Sequence, residues 1–207
     1  TMSATSRPAQ MRAEYSGVPL RAIAQLAKSW NFSEASFGMA ALNSYYATPS
    51  VADEHGFALA DAPWPQIFDP FRNAVAGKKV AVIGHFPFAP KALNQAADFY
   101  MLERSLNEGD YPDSAAEYIL PECDYVFITG SAFVNKTAPR LLELSRESFN
   151  VVLGPSTPLA PVLVEDYGVS QVTGMVPTSP LAMFEGLSGT DAGTTMFDWG
   201  HRVELSA

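Results

Sequence analysis

The 207-residue chain has a single cysteine, Cys123. No disulfide can form within it, and a reducing compartment is the natural expectation. Histidines are scarce too: His55, His85 and His201 stand far apart. A thiolate or Cys/His metal centre needs several such ligands at short spacing, and no such spacing occurs. Long apolar runs are missing, since no stretch approaches the roughly 20 residues of a membrane span. Basic runs are missing as well. With 22 acidic against 13 basic side chains, net charge −9 and a pI near 4.7, the chain repels phosphate backbones, so nucleic acid is not an expected partner. The start, Thr1 to Tyr15, is polar and lacks the apolar core of a signal peptide. The chain reads as soluble and cytoplasmic. Because Thr1 precedes Met2, it also reads as a fragment whose natural start lies upstream.

What remains is ample material for a core: 47% of residues are hydrophobic and 17% charged, the reverse of a disordered chain. From Val18 to Trp30 apolar residues recur at helical spacing, with Pro19 suited to a first turn. Asn31 and Phe32 interrupt the pattern, and Ser33 opens a second helix, apolar on nearly every side and so expected to be buried, that Pro49 ends. Val51 to Pro70 holds Pro63, Pro65 and Pro70 and reads as a loop or linker. This divides the chain into parts at 1–70 and 71–207.

After Gly77 the texture changes. Short apolar runs at Lys79–Ile83, Phe99–Leu102, Tyr125–Thr129, Asn150–Leu153 and Gln171–Val176 alternate with helical segments. Those segments are Asp113–Leu120, about Thr137–Glu147, Pro161–Asp166 and Ser179–Leu187; a last strand or hairpin falls around Thr194–Leu205. The alternation predicts an α/β fold with a Rossmann-like parallel sheet. Ligands of such sheets bind outside the carboxyl ends of the strands. The loops to inspect therefore follow Gly84, Glu103, Gly130 and Gly154.

The loop at Gly84 lacks the Gly-x-Gly-x-x-Gly fingerprint of a pyrophosphate cradle. Glu103, 19 residues after Gly84 (103 − 84), ends a strand where dinucleotide folds place a ribose-binding acid; a solvated carboxylate is the plainer alternative. Ser131, Asn135, Lys136 and Thr137 cluster before a helix, where capping and anion binding can coexist. Ser156 has no glycine-framed nucleophile elbow. Cys123 precedes a strand, at the wrong end of the sheet, and reads as structural. Among the histidines only His85 lies on a favoured loop.

Several segments carry a family resemblance: Gly84-His85-Phe86-Pro87-Phe88, Leu102-Glu103-Arg104, Gly109-Asp110-Tyr111-Pro112, Ile128-Thr129-Gly130-Ser131, Val134-Asn135-Lys136-Thr137 and Leu153-Gly154-Pro155-Ser156-Thr157-Pro158-Leu159, with Gly38-Met39-Ala40-Ala41-Leu42-Asn43 in the first part. Together they resemble the putative heavy-metal-chelation family. The resemblance implies an enolase-N-terminal-like α+β part, expected to be incomplete here, followed by a Rossmann-like domain, with a site in the cleft between the two. The expectation is a binding protein for a small molecule or metal complex with an anionic group. Asn43, Gly84, His85, Phe86, Glu103 and Gly130 are its candidate ligand contacts, together with Ser131, Asn135, Lys136, Thr137, Ser156 and Thr157. His85 is the candidate metal ligand, and a divalent metal ion the candidate cofactor. The alternative is an enzyme using an adenosine-type cofactor, with Glu103 on the ribose and His85 as acid or base. Catalytic residues and oligomeric state are left open.

Overall fold

The computed structural model describes Arg7 and residues 15–64, 66–186, 188 and 196–207. Its strands are β1 (Ala58–Leu59), β2 (Lys79–Ile83), β3 (Asp98–Glu103), β4 (Tyr111–Pro112), β5 (Tyr125–Thr129), β6 (Phe149–Leu153), β7 (Gln171–Pro177) and β8 (Gly200–Ser206). All eight join one sheet in the order β1-β8-β7-β6-β5-β2-β3-β4. From β7 across to β4 every pairing is parallel; β8 and β1 add an antiparallel edge. The chain therefore starts the parallel block at β2, steps outward to β3 and β4, then returns to the other side of β2 for β5, β6 and β7. This is the 3-2-1-4-5-6 order of doubly wound sheets, and it opens a crevice at the carboxyl ends of β2 and β5, where the winding reverses.

The apolar runs form strands because both faces of the sheet are covered. Ala81, Val126, Ile128 and Val152 face one apolar cluster; Val80, Val82, Phe127, Val151 and Leu153 face the other. Side chains alternate faces with a period of two, so a strand buried on both sides has few polar positions.

The helices are α1 (Leu20–Ala24), α2 (Phe32–Tyr46), α3 (Pro49–Glu54), α4 (Ala89–Ala92), α5 (Ala116–Ile119), α6 (Ser131–Val134), α7 (Ala138–Leu144), α8 (Val162–Glu165) and α9 (Pro180–Glu185). Several differ from their sequence-based bounds. The helix expected over Val18–Trp30 divides into α1 and a 3-10 turn, Gln25–Lys28. Asn31 caps α2 rather than merely interrupting the pattern, its Oδ1 accepting from Ser33 N and Glu34 N at 3.1 Å each. This helix is not buried all round, since Phe37 and Tyr45 are about half exposed. Nor is Val51–Pro70 a plain linker. It holds most of α3 and the whole of β1, which pairs with β8, and Ile67 and Phe68 are fully buried against Val80 and Val82. The helix expected over Thr137–Glu147 is shorter and follows a separate turn, α6. Asp113 begins a 3-10 turn that leads into α5. In the tail, β8 supplies the expected strand; Leu187 and Thr194 lie outside the described residues. Among the described residues no helix is long and apolar enough to cross a membrane.

The N-terminal helices dock onto the sheet domain through small contacts. Ala35 and Met39 of α2 pack on Val134 of α6. Gly38 lets α2 lie against the preceding turn, because a Cβ there would fall 1.9 Å from Ala27 N. Neither backbone can yield by that much without opening the packing. Gly38→Ala should therefore lower stability by about 3 kcal/mol, the upper end of the usual cost of overpacking. Urea unfolding followed by circular dichroism measures this, and a change under about 0.5 kcal/mol would show that α2 is free to shift.

Candidate functional site

A cleft of about 1060 Å³ opens at the carboxyl ends of β2, β3 and β5. It is the crevice that the strand order requires. Of the twelve candidate ligand contacts, eight line it: Gly84, His85 and Phe86 after β2, Glu103 at the end of β3, and Ser131, Asn135, Lys136 and Thr137 after β5. The other four lie elsewhere and form a joint with the N-terminal part. Asn43 Nδ2 donates to the Ser156 carbonyl at 2.8 Å, while its buried Oδ1 and the buried Thr157 Oγ1 have no hydrogen-bond partner among the described residues. Gly130 completes this joint, since a Cβ there would stand 2.5 Å from Thr157 N. This cleft opens in the sheet domain and lies beside the joint with the N-terminal part. The described lining residues come from 83–144 of the sheet domain, and the N-terminal part abuts Lys136 and Arg104 among them. Lys136 Nζ donates to the Ala27 carbonyl, and the Arg104 guanidinium lies 5.5 Å from the centre of the Phe32 ring.

One wall of the cleft carries His85, which is backed by a carboxylate. His85 Nδ1 lies 3.0 and 3.1 Å from the two Asp110 oxygens. The Asp110 side chain is closed off from solvent, whereas His85 keeps 32% of its side chain exposed. Burial alone would raise the Asp110 pKa. Hydrogen bonds from the Asn107 N–H, His85 and the Asn107 side chain outweigh that burial and hold the carboxyl below its ordinary value. An ionised Asp110 accepts but cannot donate, so it selects the tautomer with the proton on Nδ1. The Nε2 lone pair is then free to accept a proton or a metal.

Glu103 fixes the loop that carries this histidine. Its Oε2 accepts from His85 N at 3.0 Å, and its Oε1 from Arg104 N at 2.7 Å and Ser105 N at 3.5 Å. The carboxylate thus ties the β2 exit to the β3 exit, a role that neither the solvated nor the ribose-binding alternative described. Asn135 Oδ1 takes the Thr137 N–H and hydroxyl at 3.1 and 2.6 Å, which leaves its NH₂ as the end available to a ligand. Lys136 holds the left-handed φ of 68°, rare for a side-chain-bearing residue, and burial lowers its pKa. Arg140 grips Glu117 with two bonds of 2.9 and 2.6 Å and reaches Glu143 at 2.7 Å. The sequence reading did not name Asp110, Arg104 or Arg140 as contacts, although Arg104 and Asp110 stand within segments it singled out. For Asp110 a signal was present, because it lies on the loop between Glu103 and Tyr111.

Cys123 lies before β5, at the opposite edge of the sheet. It is buried, and its Sγ donates to the Ile119 carbonyl at 3.3 Å. Burial pushes its thiol up to about 11. A thiol that resists ionisation is a poor metal ligand. Among the described residues, no three His, Cys, Asp or Glu side chains come together in a way that could hold a metal ion.

Fold and cleft together define an α/β protein with a pocket at a topological switch point. Sequence comparison narrows this. A family model described as "Putative heavy-metal chelation" (DUF364) matches residues 66–203, and a second of the same description (DUF4213) matches residues 2–46. The chain belongs to the DUF364 family. A DUF364 protein of unknown function from Desulfitobacterium hafniense DCB-2 is 46% identical, with a TM-score of 0.85 over 92% of this chain and 76% of that one. A DUF364 protein from Pyrococcus horikoshii, 22% identical, shares the fold with a TM-score of 0.74 over 95% of this chain and 79% of that one. An uncharacterised protein of Methanocaldococcus jannaschii is 29% identical over 101 residues, 46% of this chain; the match spans 39% of that protein's length.

Two outcomes follow from this geometry. The folded-state pKa of Asp110 lies below the ordinary 3.8, so its carboxylate stabilises the protein above that value. The contribution disappears as pH falls through the folded-state value. Asp110→Asn should cost about 1.5–3 kcal/mol near neutral pH, and the gap from wild type should close in acid. Urea melts at several pH values measure it; a gap independent of pH would show that the carboxylate charge is not what matters. Second, Cys123 in the folded protein should resist iodoacetamide at pH 8 and react readily in denaturant. Equal rates in the two states would show an accessible, ionised thiol.

Proposed function

We propose that the chain binds a small organic molecule or a metal complex, with an anionic group on the ligand, in the cleft at the carboxyl edge of the sheet. The observation that carries this is the size and lining of the cleft. About 1060 Å³ lies just above the usual range of small-molecule sites and far exceeds what an ion needs. Hydroxyl and amide groups of Ser131, Asn135 and Thr137 face one side, with Arg104 and Arg140 at the rim. Arg104 pairs with Asp113 at only 3.4 Å, and both side chains are substantially exposed. Such a pair contributes little and can yield to a ligand carboxylate or phosphate. The family's description as heavy-metal chelation is compatible with this reading. A single buried thiol suits a reducing compartment, and the cytoplasm is the proposed location. The acidic net charge argues against nucleic acid as the ligand.

The test is native mass spectrometry on protein purified without chelator or affinity metal, to detect a retained small molecule. Its binding should then fall by about 1–3 kcal/mol in Asn135→Ala or Thr137→Ala, the cost of losing a hydrogen bond to a charged or buried group. Asn135→Ala should also lower the melting temperature of the ligand-free protein, since it removes the turn onto Thr137. Variants that melt earlier yet keep full affinity would mean that this loop is only a cap.

A further inference from the structure

The cleft offers little to a bare metal ion. Each of its carboxylates is already engaged. Glu103 holds three backbone N–H groups, Glu117 takes the Arg140 fork, and Asp113 faces Arg104. Asp110 sits behind His85, enclosed and hydrogen-bonded. Tight metal centres take three or four protein ligands, and the described residues bring no such set together. The one thiol, Cys123, is buried at the other edge of the sheet. A family described as binding heavy metal thus presents, in this chain, a large cleft with one imidazole.

That imidazole is well prepared. His85 has its Nδ1 held by the Asp110 carboxylate at 3.0 Å and its backbone N–H held by Glu103 at 3.0 Å. A carboxylate on the far ring nitrogen is how proteins orient a metal-binding histidine and raise its basicity. The cleft also has far more room than a single ion fills.

From this combination we infer that the cleft receives a transition-metal ion already held by a small organic chelator, and that His85 Nε2 fills a coordination position the chelator leaves open. The inference rests on the reading of the cleft as a ligand site. The chelator supplies most of the donor atoms, which removes the need for a cluster of protein ligands. Imidazole suits copper, nickel, zinc and iron, so the softness of thiolate is not required. Asp110 is a positioning residue, because it acts only through His85. The rim groups Ser131, Asn135 and Arg104 are placed to bind the chelator's oxygens.

The probe is the copper(II) complex of iminodiacetate, which leaves equatorial positions open, titrated into the full chain and followed by pulsed electron paramagnetic resonance. Wild-type protein should bind it with the modulation signature of one imidazole. His85→Gln should lose at least tenfold in affinity together with that signature. Asp110→Asn should weaken binding about tenfold while keeping the signature, as the loss of an outer-shell partner does. His201→Gln, at an exposed histidine outside the cleft, should change nothing. Circular dichroism checks that each variant is folded. Three results would each overturn the inference: no binding of the complex by wild type, equal binding after His85→Gln, or tighter binding of bare zinc or copper ions through several protein donors. A small molecule retained in native mass spectrometry would leave the cleft reading standing even then.

Discussion

The hydrogen bond between His85 Nδ1 and the enclosed Asp110 carboxylate determines what the cleft can do. Without it the imidazole would rotate and exchange tautomers, and neither nitrogen would have a fixed role. With it, one nitrogen is committed to the protein and the other is left to the cleft. The bond depends on Glu103, whose carboxylate holds the His85 and Arg104 backbones and so sets the spacing between the β2 and β3 exits. It depends also on Asn107, whose backbone and side chain both donate to Asp110. The loops after β2 and β3 are thereby joined by carboxylates that would otherwise repel one another in an acidic protein.

The basic groups around the cleft are held in check in the same way. Arg140 is shared by Glu117 and Glu143, Arg104 faces Asp113, and Lys136 turns toward the carbonyl of Ala27. These contacts do not all have the same strength. The Arg140–Glu117 fork is short and bidentate, whereas the Arg104–Asp113 contact is longer and solvated, so Arg104 is the cation a ligand can recruit at least cost. Lys136 adds a mechanical link. Its bond to Ala27 connects the cleft wall to the N-terminal part, and the bond from Asn43 to the Ser156 carbonyl ties the neighbouring loop to α2. The N-terminal part therefore braces two loops at the carboxyl edge.

The sheet was legible because strands buried on both faces leave a continuous apolar run, as at Val80–Val82 and Val126–Ile128. The strand-exit loops could then be named, and eight candidate contacts fell into one cleft. Other features had no sequence signal of that kind. Strands β1 and β4 are two residues long, too short for any period, and β4 contains proline. Asp110 meets His85 across 25 residues of chain, and only the pairing of β2 with β3 brings the two loops together. Asn43 and Ser156 are separated by 113 residues, so their contact, and the removal of Ser156 and Thr157 from the cleft, follow from tertiary packing alone. Gly130 was read as a possible ligand contact from its place after a strand. What calls for glycine there is the approach of the Thr157 backbone.

The family's description concerns metal, while this cleft presents one oriented imidazole in a volume far larger than an ion. Both views meet at the protonation state of His85. Two-bond proton–nitrogen correlation of the histidine rings, recorded by nuclear magnetic resonance on labelled protein at alkaline pH, reads it directly. A proton on Nδ1 and a bare Nε2 is the predicted result, and it should be lost in Asp110→Asn. A proton on Nε2 in the wild type would contradict it, because the nitrogen facing the cleft would then have no lone pair to offer.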